Sequence, residues 1–127
     1  MRRPLRWPRA WLTLWLLAVL AVIAVSLLPP PPLPGPPGGD KVGHFLAYFA
    51  LMACAVQVFA GRLLILIALL LAALGLALEF AQGALTSTRM FELHDALANT
   101  VGVLAGLAVA STPAATWLLR LERRLGR

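Results

Sequence analysis

The chain has 127 residues, is 61% hydrophobic, has a mean hydropathy of +0.85 and carries a net charge of +6. Apolar residues make up only about half of an ordinary soluble domain, so a water-soluble globule is excluded and one membrane-embedded unit is expected at this length. The charge does not point to nucleic acid: Arg2, Arg3, Arg6 and Arg9 precede the first apolar run and Arg120, Arg123, Arg124 and Arg127 follow the last, the placement of a membrane topology signal.

The first apolar run, residues 11–28, contains no charge. Its basic start resembles a secretory signal, but the run is longer than the roughly 7–15 apolar residues of such segments. The one cleavage-like site, Ala24-Val25-Ser26, is weak, so a retained membrane helix is expected. Residues 29–40 are rich in proline and glycine and predict an extended, polyproline-like outer loop. The second run, 42–60, is interrupted by His44 and Gln57, and Gly61-Arg62 makes a short turn. The third, 63–85, is broken by Glu79 and Gln82, and Thr86 to His94 forms a polar connector. The fourth, 95–119, is broken by Asn99. Its Gly102 and Gly106 form a Gly-x-x-x-Gly pair, which fits close helix contact and ordinary glycine usage in membrane helices equally well. Thr112-Pro113 should kink or loosen its end. Each run has about 18–25 residues, enough to cross roughly 30 Å of hydrocarbon at about 1.5 Å per residue. Period-2 alternation is absent. The expected fold is therefore all-α, a polytopic four-transmembrane-helix bundle. Cys54 is the single cysteine, so no intrachain disulfide can form, and a small inert thiol in mid-run, packing against a neighbour, is expected.

Orientation follows from the arginines. With both termini in the cytoplasm, that side holds nine arginines, including Arg62, and one acid, Glu122, for a sum of +8. The outer side holds Lys41 and Arg89 against Asp40, Glu79, Glu92 and Asp95, for a sum of −2.

Three polar stripes emerge at helical spacing. Lys41, His44 and Tyr48 share a face of the second helix, with Met52 continuing it. Gly75, Glu79, Gln82 and Thr86 share a face of the third, and Asp95, Asn99, Gly102 and Gly106 a face of the fourth. The second helix starts outside, the third ends there and the fourth starts there. All three stripes therefore fall at one level, near the outer surface.

The segments Asp40-Lys41-x-x-His44-x-x-x-Tyr48, Glu79-x-x-Gln82, and Arg89 followed by Asp95-x-x-x-Asn99-x-x-Gly102-x-x-x-Gly106 resemble the VanZ-like membrane proteins. That family is named for a protein linked to resistance to the glycopeptide teicoplanin. The resemblance covers about residues 40–110. It implies a small multi-pass protein of the bacterial cytoplasmic membrane, at the cell envelope. It supplies no reaction.

Each polar residue has a structural and a functional reading. Asp40 and Asp95 stand where a helix N-cap would. Lys41 fits snorkelling to the headgroups or pairing with Glu79 or Asp95. His44 is a packing residue or a proton-handling group approached by carboxylates of two other helices. Tyr48 is an interfacial aromatic or a hydrogen-bonding member of the cluster. Glu79 follows sixteen apolar or glycine residues and must be paired, protonated or hydrated. Gln82 is placed to donate to it. Arg89 pairs with Glu92 or Asp95, or holds a carboxylate or phosphate. Asn99 is placed to bridge helices, and His94 lies off the stripe. As a site, Glu79, His44 and Asp95 are the candidate catalytic groups, with Lys41, Tyr48, Gln82, Arg89 and Asn99 as candidate substrate-binding groups. His44, Glu79 and Asp95 are metal-binding residue types, but no H-x-x-x-H or cysteine pattern accompanies them, so no metal and no cofactor is expected. Ser87 and Thr88 lack an orienting partner for nucleophilic catalysis.

Three functions fit these residues. One is a site acting on an envelope lipid or lipid-linked precursor, with Lys41 and Arg89 on a headgroup phosphate and Glu79, Asp95 and His44 in acid–base roles. Against it, the cluster holds four acids and two bases, where a pyrophosphate site wants excess positive charge. The second is a proton-coupled small-molecule carrier, disfavoured by a site away from the midplane. The third is a polar clamp that holds the bundle or a partner without chemistry. Whether the chain is an enzyme and which oligomer it forms stay open.

Overall fold

The computed structural model describes residues 1–29, 35 and 39–126. Four helices are long and apolar enough to cross a membrane. They are α1 (Pro8–Leu27), α2 (Gly39–Val58), α3 (Leu63–Leu85) and α4 (Leu93–Ala108, with a 3-10 turn Val109–Ser111 behind it). A second 3-10 turn, Pro113–Thr116, leads into a short helix α5 (Trp117–Leu125). No strand occurs among the described residues, and the all-α four-helix bundle is as expected. The polyproline expectation for the outer loop falls largely outside the described residues.

Leu14, Leu17, Leu20, Ile65, Leu69 and Leu104 lie on the outside of the bundle, each more than half exposed. An apolar girdle of this extent has no stable place in water. It is the surface a multi-pass membrane protein presents to lipid.

The core is built on α2 and α4. Met52, Ala55 and Val56 are fully enclosed and Val103 is 1% exposed. Lipid tails are as apolar as leucine, so helix contact in a membrane is driven by close packing. Here the glycine pair decides it. A Cβ on Gly102 would fall on the Phe45 carbonyl oxygen, and one on Gly106 would lie 2.8 Å from the Phe49 carbonyl oxygen. The Gly-x-x-x-Gly pair is thus a contact face against α2. Gly75 does the same for α3, where a Cβ would sit 3.1 Å from Asn99 and 3.3 Å from the Tyr48 ring.

The fourth apolar run does not form one helix over 95–119. The α-helix stops at Ala108, and Thr112 is extended at φ −112°, ψ 162°. Pro113 has no N–H to continue the ladder and its ring forces the preceding residue out of helical geometry. Gln57 of α2 secures the chain beyond the break, donating to Ala114 O (3.1 Å) and accepting from Leu118 N–H (3.1 Å). Cys54 is a free thiol, exposed on the outside of the bundle.

α1 has no fully buried residue; Trp11, Leu12, Trp15, Val19 and Val22 pack against the core half-buried, and polar contacts tie down its ends and middle. Trp15 Nε1 donates to Leu51 O at 2.8 Å. Where the N-terminal segment meets α5, Glu122 is 4% exposed and accepts from Arg6 N–H (2.6 Å), Trp7 N–H (3.3 Å) and Trp11 Nε1 (2.6 Å). Burial pushes its carboxyl up, but these three donors and the Arg6 charge outweigh burial and hold it below the usual carboxylate range.

Candidate functional site

At the opposite end of the bundle, the start of α2, the end of α3 and the start of α4 meet. Helical periodicity puts Lys41, His44 and Tyr48 on the α2 face that α4 covers, and the Gly102–Gly106 contact draws α4 close enough for its first turns to touch them. Lys41 Nζ lies 3.0 Å from Glu92 Oε2, 3.1 Å from Asp95 Oδ1 and 3.5 Å from Asp40 Oδ2. His44 sits one turn deeper. Its Nδ1 is 3.2 Å from Asn99 Oδ1 and 3.8 Å from Glu79 Oε1, and its Nε2 is 3.4 Å from Asp95 Oδ2.

Glu79 is 1% exposed. The one hydrogen bond its carboxylate accepts among the described residues comes from Glu92 N–H at 3.4 Å, near the outer limit for such a bond. Tyr48 forms the floor. It is 2% exposed, and its Oη has no hydrogen-bond partner among the described residues.

Six expected site residues therefore come together: Lys41, His44, Tyr48, Glu79, Asp95 and Asn99. Two take other work. Gln82 is buried on the expected face, but its Nε2 donates to Ser26 O of α1 at 2.8 Å instead of to Glu79. Arg89 Nε donates to Leu28 O at 2.8 Å, and its ion pair with Glu92 or Asp95 does not form among the described residues. Both residues satisfy carbonyls at the end of α1, where a helix leaves its last C=O groups unpaired. The Arg89 loop is itself braced by Thr86 Oγ1, which accepts from Arg89 N–H (3.1 Å), and by Phe80 stacked on Phe91 at 4.8 Å.

The N-cap reading fails for both aspartates. Asp40 lies inside the first turn of α2, which begins at Gly39. Asp95 is the third residue of α4 and is buried, while Glu92 holds the N-cap position. Glu92 is the member of the cluster that the stripes missed. It lies three residues before Asp95, one helical turn, and that spacing was its only signal. His94 is exposed and outside the cluster.

The electrostatics are lopsided. Asp40, Glu79, Glu92 and Asp95 face one ammonium, Lys41, which serves three of them and not Glu79. What defines this chain is a four-span membrane protein with a buried acidic site, on three helices, at one end of the bundle. No protein-family model, no curated protein and no solved structure matches the chain.

Proposed function

We propose that this chain is a VanZ-like membrane protein of the bacterial cell envelope, with both termini cytoplasmic, that binds or processes an envelope lipid or lipid-linked precursor at its outer end. The single observation that carries the reading is Glu79. It is buried, yet it stands among groups of three helices that can exchange protons or bind a ligand, with His44 Nδ1 at 3.8 Å. A carboxylate in such a place is costly unless it serves a purpose. Lys41, about one-third exposed, stands at the rim where a lipid phosphate would arrive. Arg89, turned toward Leu28, guards the rim between α1 and α3.

The reading is tested with the chain in phosphatidylglycerol nanodiscs doped with a polyprenyl pyrophosphate. Native mass spectrometry should detect the retained lipid, and Glu79→Gln and His44→Ala should lose it while staying inserted and helical. The clamp is the second reading, favoured by the well-satisfied Lys41 contacts. It wins if those variants instead melt or fail to insert. A proton flux in liposomes that disappears in Glu79→Gln would favour the carrier over both.

A further inference from the structure

We infer that His44, Glu79 and Asp95 form a binding site for one divalent transition-metal ion, with zinc the best fit. One donor atom from each residue lies within 4.8 Å of the other two. A tetrahedral zinc with bonds of about 2.1 Å separates its ligands by about 3.4 Å, and His44 Nε2 stands 3.4 Å from Asp95 Oδ2. Glu79 supplies the third donor, its Oε1 lying 3.8 Å from His44 Nδ1 on the same ring.

The surroundings prepare these atoms as ligands. Donation from His44 Nδ1–H to Asn99 Oδ1 leaves Nε2 with its lone pair toward Asp95. This is the outer hydrogen bond that orients a ligating histidine. Lys41 takes Asp95 Oδ1 and leaves Oδ2 to face His44. In that tautomer the Nε2 lone pair and Asp95 Oδ2 stand 3.4 Å apart, a gap that a shared proton or a cation would fill. Glu79, 1% exposed with one long hydrogen bond among the described residues, has ligand capacity to spare. Tyr48 adds an independent sign of a missing ligand. Its buried Oη is unpartnered among the described residues, on the same α2 face one turn below His44. One nitrogen and two oxygens suit zinc or manganese, and three protein ligands leave a position open for substrate or water.

The ion deepens the proposed function, and its link to a substrate rests on that reading. A divalent cation turns an acidic site into one that attracts phosphate.

The test uses the full chain, purified in detergent, stripped with a chelator and dialysed against zinc. Elemental analysis should find one zinc per chain. Cobalt substitution should give the visible absorption of a four-coordinate ion. His44→Ala, Glu79→Gln and Asp95→Asn should each abolish both signals with helicity retained. Asn99→Ala should weaken zinc about 10–100-fold, as loss of an outer hydrogen bond to a ligand does. Folded protein that takes up no zinc, or zinc that survives all three ligand changes, overturns the inference. Zinc uptake without retention of the polyprenyl pyrophosphate overturns the proposed function and leaves the metal site standing. Lipid retention by protein that takes up no zinc does the reverse.

Discussion

The α2–α4 contact yields a sharp test of how packing holds the site. A Cβ at Gly106 would lie 2.7 Å from Met52 Cβ and 2.8 Å from the Phe49 carbonyl oxygen. Carbon contacts settle at about 3.5–4.0 Å, so alanine there must part the helices by about 1 Å. At Gly102 the obstacle is the Phe45 carbonyl, which is backbone and cannot swing away. Overpacking of this kind costs about 1–3 kcal/mol. Alanine also removes glycine's helix penalty, a gain of about 0.5–1 kcal/mol, so each single substitution should cost about 1–2 kcal/mol net. α4 carries Asp95 and Asn99, whose contacts to His44 at 3.4 and 3.2 Å would open out of hydrogen-bond range. The two glycines are one turn apart on the same face, so the double variant should cost less than the summed singles. Gly43→Ala is the control, since a Cβ there meets nothing within 4 Å. The assay is unfolding in mixed micelles followed by circular dichroism. If Gly102→Ala proves as stable as Gly43→Ala, α4 does not rest on α2 as described.

At the other end, Glu122→Leu removes the acceptor of three part-buried donors and should cost about 1–3 kcal/mol, the penalty of about one orphaned buried group, because Arg6 and Trp7 are exposed and water reaches their N–H groups. The Glu122 carboxyl is depressed in the folded chain, so its contribution is complete above its ordinary value of 4.5 and is lost as pH falls below that through the lowered value. Glu122→Gln should flatten the acid limb of a stability–pH curve, and an unchanged limb would refute the assignment. Gln82→Leu removes the tie to Ser26 O. It should speed amide exchange at the end of α1 while leaving the centre of α2 protected. In a Cys54→Ala background, a cysteine at Thr88 should react with an impermeant thiol reagent from outside the cell. Labelling only after lysis would reverse the proposed orientation.

The stripes on α2, α3 and α4 were legible because two strong signals coincided. Polar side chains are rare in apolar runs, and helical periodicity tells which of them share a face. Lys41, His44, Glu79, Asp95 and Asn99 met as that arithmetic required. Gln82 and Arg89 did not, because their partners are carbonyls of α1. That helix has no polar stripe, so nothing in the sequence announces its place. The end of α4 was half legible. Thr112-Pro113 marked a disturbance, but only the backbone shows that the helix stops there.

The deepest blind spot concerns two glutamates. Glu79 stood out because everything before it is apolar, whereas Glu122 sits among arginines and reads as a solvated surface charge. Both are in fact buried, at 1% and 4% exposure. What separates them is satisfaction, which no composition or spacing encodes. Glu122 accepts three hydrogen bonds, two of them at 2.6 Å, and so has little left for anything else. Glu79 accepts one, at 3.4 Å. Equal burial with unequal satisfaction sets the two apart: Glu122 holds α5 to the start of α1, and Glu79 is the one the proposed site would use.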